Sequence, residues 1–445
     1  MAKTTNLTEG KVSAILLSFF FPMLFTNLLQ QVYTFADAAI VGKGLGDNSL
    51  AAVGNMTSLA FFITGFSIGM TNGFGVIIAQ NYGSGNIDKL RKSIAASIKL
   101  SAIISVVLTI VGLVFLRPVM IAIHTSEDIL EESLLYGYIL FGGLVTAVAY
   151  NMCSGILRAL GDSTTPFKAI IVSSVVNVGL NCIFIFGLGT GVEGAAIATI
   201  ISQALSAVIC FIRIRQIEVI ALRREDFAAD MKLNGILLKN GIPMACMNSI
   251  TAVGSMIVQS YVNALGVIYT SAYSVGIRYI NLLMIPSLTA GLSTSSFASQ
   301  NYGAGKYHRI REGVRVSIGI ALLSYVFVGA ALLLVPEFLA KIMLNGDEAI
   351  GLAVEFLRIV GVTFWIISVM FTFRNAVQGM GYPFVPMCSG VLEMIMRISA
   401  IVLLLPKIGF KATAVAEAAA WSGALLMNFA AYVVHINKKL KKTIE

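Results

Sequence analysis

Asp37 sits in the phrase VYTFADAAIVG, directly after a run from Val12 to Ala36 that holds no charged residue. A run of that length can cross a bilayer as a helix, which places this acid inside the membrane. Inserting an Asp near the middle of a spanning helix costs about 2.5 to 3.5 kcal/mol. The cost is met where the carboxylate faces a bundle interior and takes up a proton or a cation, or where fixed hydrogen bonds satisfy it as a structural group. Asn177 and Asn181 lie four residues apart in another uncharged run, Ala169 to Val192. That spacing puts two amides on one helix face, where they either converge on a common ligand or hydrogen-bond a neighbouring helix. Glu393 and Arg397 repeat the spacing with opposite charges, a buried ion pair that serves as a structural lock or as a coupling element. Arg278 joins them as a candidate second polar site, while Arg358 reads as a side chain reaching from a span end to water. Gln30, Gln31 and Gln259 are candidates to line a cavity, or else pack between helices.

Other chemistry is missing. Cys153, Cys182, Cys210, Cys246 and Cys388 are odd in number and show no close pairing, so disulfides are not expected. His124, His308 and His435 are too scattered to form a metal cluster. With no Walker A or HExxH phrase, neither energy from ATP nor a hydrolase role is supported, and no enzyme is expected. The elements holding the polar residues follow from composition. The chain is 57% hydrophobic and only 12% charged, with mean hydropathy +0.86, against roughly a quarter charged in soluble domains. It reads as an all-α integral membrane protein of twelve spans, the fourth near 133–156 and the eighth near 270–299. With the N-terminus inside, most of the 31 basic residues fall in inner segments, and outer segments hold Lys43, Arg117, Lys341, Lys407 and Lys411. Both termini are therefore expected in the cytoplasm, with the chain in the plasma (inner) membrane. The net charge of +9 follows from topology and from attraction to lipid head groups, with no nucleic acid partner.

The polar residues are distributed over two related halves. QNYGSGNIDKLR at 80–91 returns as QNYGAGKYHRIR at 300–311. At the same offset of 220 positions Leu45-Gly46 returns as Leu265-Gly266, Ala52 as Ala272, Tyr136 and Ile139 as Phe356 and Ile359, and Gly161 as Gly381. Pro22-Met23 returns as Pro243-Met244. The chain divides into six-span lobes at 1–213 and 240–445, joined by a charged cytoplasmic linker at 214–239. An even number of spans per half makes the repeats parallel, around a central cavity. QNYG is then a repeated cytoplasmic hairpin, turned by its glycines and anchored by its basic residues.

The sequence resembles the multidrug and toxic compound extrusion family over almost its whole length. The resemblance rests on PMLFTNLLQQVYTFADAAIVGKGLG at 22–46, IAQNYGSGN at 78–86, SGILRALGDSTTPF at 154–167, NVGLNCIFIFGLGTGVEGAAIAT at 177–199, IPMACMNSI at 242–250, SQNYGAGK at 299–306 and QGMGYPFVPM at 378–387. It implies a secondary transporter that exports organic, often cationic or amphipathic compounds in exchange for H+ or Na+ by alternating access, as a monomer among membrane lipids and without a cofactor. It also implies an ion-coupling site at Asp37, Tyr136, Asn177, Asn181 and Thr199, the only place where a metal ion, Na+, is expected. Asn181 departs from members that carry Asp there, which removes one negative charge. The alternative within transport is a flippase for lipid-linked precursors, which needs a cavity lined by several Arg and Lys. A non-transporting receptor or an enzyme would need an appended soluble domain or a catalytic cluster.

Overall fold

The computed structural model describes residues 6–123, 125–228 and 230–444, so His124 and the first five residues lie outside the described part. Its α-helices are α1 (Val12–Leu45), α2 (Asp47–Gly83), α3 (Ile87–Ala122), α4 (Glu127–Gly142), α5 (Leu144–Ala159), α6 (Thr164–Asn181), α7 (Val192–Arg215) and α8 (Met231–Asn263). They continue as α9 (Val267–Leu283), α10 (Ile285–Gly303), α11 (Tyr307–Leu334), α12 (Pro336–Met343), α13 (Asp347–Gly379), α14 (Phe384–Ile408) and α15 (Lys411–Ile444). Among the described residues there is no strand. Among the described residues ten helices are long and apolar enough to cross a membrane, and counting each of two bent pairs as one span gives twelve. The bent pairs are α4 with α5, at 45°, and α9 with α10, at 40°. The expected fourth and eighth spans are thus broken, at Gly143 and before Pro286, where chain that lacks a Cβ or an N–H loosens the helix.

α3 shows how apolar side chains are distributed over the outside of this chain. Ile103, Val107, Ile110 and Val114 form one stripe at helical spacing and are all exposed, whereas Ser101, Ser105, Gly112 and Leu116 are buried on the opposite face. Apolar residues outside and small or hydroxylated residues inside invert the pattern of a soluble helix and match packing in a bilayer. The same logic brings backbones together between α2 and α8. A Cβ built on Gly69 would lie 2.5 Å from Cα of Ala245, and one on Gly73 would lie 2.5 Å from Cα of Gly241. Two small residues one turn apart on each helix allow that approach.

The duplication is visible in the backbone. Gly46 and Gly266 have φ of 94° and 111°, Gly85 and Gly305 both have 71°, Gly161 and Gly381 have 84° and 86°, and Gly189 and Gly409 have 65° and 60°. Each pair is 220 positions apart and adopts a left-handed conformation that a side chain would strain. Gly46 and Gly266 separate the first two spans of each half, and Gly85 and Gly305 turn the two QNYG hairpins.

The compact units do not follow the lobes drawn at 1–213 and 240–445. Among the described residues one is built on Phe21–Ala245; the other comprises Leu7–Phe20 and the chain from Cys246 on. The changes fall next to Pro22 in α1 and Pro243 in α8, where a missing N–H interrupts the helical ladder. In the second unit the leading segment is gripped by the second QNYG hairpin. Gln300 Oε1 accepts from Leu7 N at 3.0 Å, Lys306 Nζ donates to Thr8 O at 2.9 Å and Arg309 Nη1 to Gly10 O at 2.9 Å. In the first unit Lys99 Nζ donates to Phe227 O, and Phe227 stands 220 positions after Leu7. In the second unit hairpin residues, and in the first a lysine further along α3, thus hold the backbone of the chain that leads into a first span.

Within the first unit the core clusters join α2, α3, α5 and α7 around Phe74, Ile78 and Ile156, and α2, α4 and α7 around Met56, Tyr136 and Phe141. In the second unit α13 packs against α9, α10, α11 and α15, with Phe364 edge-on to Trp421 at 6.0 Å. These packed bundles fix the polar side chains that apolar surroundings would otherwise exclude.

Candidate functional site

The placement of α6 starts at the GDSTTPF phrase. Asp162 accepts from Thr164 N at 3.1 Å, Thr165 N at 2.9 Å and Thr165 Oγ1 at 2.7 Å, capping the first turn of α6. Arg213 Nε, at the end of α7, bonds the same carboxylate at 3.2 Å. With its start pinned to α7, α6 carries Asn177 and Asn181 inward, and both are buried. The helix then widens into a π-helical turn at Cys182–Gly187, a device that redirects a helix beside a polar site.

Asn181 Nδ2 donates to Asp37 Oδ1 on α1 and also to Asn177 Oδ1 at 3.3 Å. Asn181 Oδ1 and Asn177 Nδ2 are buried and have no hydrogen-bond partner among the described residues. Tyr136, from α4, is 5% exposed and lies beside Thr199 of α7 and within electrostatic range of Asp37 and Tyr33. Thr199 Oγ1 donates to Ala195 O at 3.0 Å, which fixes its rotamer. All five residues implied by the family resemblance therefore meet in one region of the first unit. A cavity of about 190 Å³ opens beside them, lined by Gln30, Tyr33, Tyr150, Asn151, Asn177 and Thr199 among others.

Tyr33, Tyr150, Asn151 and Gln203 are cavity residues that sequence reasoning missed. Tyr33 is one turn before Asp37 and Gln203 one turn after Thr199, so helical spacing from known members would have found both. Of the glutamines, Gln30 lines the cavity. Gln31 is exposed, and Gln259 in the second unit donates to Asn263 Oδ1 at 2.8 Å. The phrase Gly65-Phe66-Ser67-Ile68-Gly69 fits the spacing of a nucleophile elbow, but it runs through the middle of α2 and lacks the strand-to-helix turn that would present the serine.

The second unit contains a different polar group. Glu393 and Arg397 of α14 bond at 3.3 Å, and the pair extends further than the sequence suggests. Arg397 Nη2 reaches Glu417 Oε2 of α15 at 2.9 Å, and Glu393 Oε2 reaches Arg374 Nη2 of α13 at 2.6 Å. The four side chains are 3–6% exposed. Arg374, near the end of α13, is thus a buried member of this network. Arg278 and Arg358 are exposed and stand outside it.

The MatE family model matches residues 22–183 and 243–403. The chain is 29% identical over 358 residues to the probable multidrug resistance protein YoeA of Bacillus subtilis (strain 168), covering 78% of this chain and 76% of that protein. It is 25% identical over 372 residues to the probable multidrug resistance protein NorM of Thermotoga maritima, covering 82% and 80%. A solved structure described as MATE in the bent conformation has the same fold, with a TM-score of 0.93 at 22% identity over the whole of both chains. Two family matches, one on each half of a helical, multi-span chain, lead to one conclusion: the protein belongs to the MatE family and is a membrane transporter, not an enzyme.

Proposed function

We propose that the protein exports small organic compounds, often cationic or amphipathic, in exchange for H+ or Na+. The observation that carries this reading is the contact between Asp37 and Asn181, together with the buried, unpartnered Asn181 oxygen. Asp37, Asn177, Asn181, Tyr136 and Thr199 offer only oxygen ligands to a small hard cation, one of them charged. A half-turn of the Asn181 amide exchanges its N–H for its oxygen and lets it share a cation with Asp37. When the carboxylate is protonated, the amide again finds a hydrogen-bond partner. Proton and Na+ are then alternatives at one group, and Asn177 and Thr199 connect that group to the cavity.

Coupling requires only that ion and substrate favour opposite states. Pro22 and Pro243, where the chain passes between compact units, are the points at which α1 and α8 flex. The lobes at 1–213 and 240–445 act as parallel repeats in the plasma membrane, with cytoplasmic termini and the 214–239 linker on the same side. The working unit is one chain, in contact with lipid along stripes such as that of α3. The test is dye efflux from proteoliposomes with a Na+ gradient or a pH gradient imposed alone. Efflux driven by either one supports the reading, and efflux indifferent to both refutes it.

A further inference from the structure

The two halves can be aligned residue by residue, and the alignment joins the two polar groups. The offset of 220 is fixed by the four left-handed glycine pairs as far as Gly189 and Gly409. In the last span of each half, burial sets an offset of 218. Buried Gly194, Ala195, Ala196, Ala198 and Ser202 of α7 then fall on buried Ala412, Thr413, Ala414, Ala416 and Ala420 of α15. With these offsets Asn177 corresponds to Arg397, Thr199 to Glu417 and Ser173 to Glu393. Three other positions become apolar: Tyr136 corresponds to Phe356, Asn181 to Ile401 and, in the register of Pro22 and Pro243, Asp37 to Val258. All three replacements are fully buried.

The second half thus carries a guanidinium held by two carboxylates at the place where the first carries a carboxylate among amides and hydroxyls. Arg397 is bonded to Glu417 at 2.9 Å, to Glu393 at 3.3 Å and to Ser255 of α8 at 3.5 Å. Arg374 bonds the other oxygen of Glu393, and Tyr273 of α9 stands beside Glu417. Two Arg and two Glu sum to no net charge. Val258, Phe356 and Ile401 show that this region accepts apolar packing, so a buried quartet with its desolvation cost is not the only way to fill it.

We propose that Arg397 is a built-in cation: it occupies the second half's equivalent of the ion site, so that this half is permanently ion-loaded and the chain has one exchangeable ion site, not two. The inference rests on reading the Asp37 group as that site. It differs from a plain structural lock in what happens when the tethered cation is removed, since the carboxylates left behind would then accept a mobile one.

The experiment uses the purified full chain and follows thermal unfolding as Na+ is raised at constant ionic strength and, separately, as pH is lowered. Asp37→Asn should abolish the ion-dependent shift. Adding Arg397→Gln should create a new one of a few degrees, and adding Glu417→Gln as well should remove it. No new shift in a folded Asp37→Asn/Arg397→Gln chain overturns the proposal. If that chain does not fold, the neutral pair Arg397→Gln/Glu417→Gln decides. It should fold and keep the wild-type ratio of ions to dye in proteoliposomes, and loss of ion coupling in it overturns the proposal. A shift that persists in Asp37→Asn but disappears with the neutral pair makes the quartet itself the ion site and also overturns the inference. A shift that survives both changes leaves the quartet silent, as proposed, and removes Asp37 from the ion site instead.

Discussion

Asp37→Asn is the sharpest test of the coupling mechanism, because it preserves shape while removing charge. The amide of Asn fills the volume of the carboxylate and still offers an oxygen to Asn181 Nδ2. What it loses in the folded protein is the difference between a charge-assisted and a neutral hydrogen bond, about 1 kcal/mol. That corresponds to a fall of about 2–4 °C or less in melting temperature for a chain of this size. The effect on ion binding is far larger. A cation about 4 Å from a carboxylate, at an effective dielectric constant of about 20, gains about 4 kcal/mol, or roughly a thousandfold in affinity. Reconstituted Asp37→Asn should therefore fold, bind dye and lose gradient-driven efflux, with a dye affinity that no longer responds to Na+ or pH. Wild-type efflux under the same imposed gradient would refute the reasoning and make Asp37 a structural group.

Asn181→Asp places a second carboxylate against Asp37, and the two must share a proton or a cation; ion titrations of transport should show tighter ion binding or a shifted pH optimum. Gly73→Val pushes a Cβ to 2.5 Å from Cα of Gly241, where no rotamer gives relief, and should cost about 1–3 kcal/mol or more by thermal unfolding. Gly54→Ala, with nothing within 4 Å of the new methyl, should be neutral or slightly stabilising in the same assay. Single cysteines at Ser84 and Ala304, in a background without the five native ones, should both be labelled only from the cytoplasm; labelling of one from outside would rule out parallel repeats.

The architecture was legible because bilayer burial leaves long, charge-free runs, and a duplicated chain keeps its left-handed glycines. Gly46, Gly85 and Gly161 return 220 positions on because a turn with positive φ does not tolerate a Cβ at those points. The bends were not legible. Gly143 is one of many glycines in apolar chain, and only packing decides which one loosens its helix; the equivalent span in the second half, α13, runs unbroken from Asp347 to Gly379. The exchanged leading segments were equally hidden. A buried leucine at position 7 signals packing without saying against what, because the bond that ties it to Gln300 runs through its backbone N–H, a group every residue but proline carries.

The site divides along the same line. Asp37 and the Asn177/Asn181 pair were found because a charge inside a spanning run is costly and two amides one turn apart are visible locally. Glu393 and Arg397 were found for the same reason, as a pair within one helix. Arg374 and Glu417 were not, since each joins the group from a different helix and reads alone as a residue near a span end. Here the duplication supplies the missing information. A charge placed on its repeat equivalent identifies Glu417 through Thr199 and Arg397 through Asn177, once burial has fixed the register of the last span at 218 and not 220. A two-residue slip turns a helix by about 200°, enough to put Glu417 on the wrong face and hide the correspondence. In a duplicated membrane bundle the inward faces, more than the printed residues, have to be aligned before the two halves can be compared.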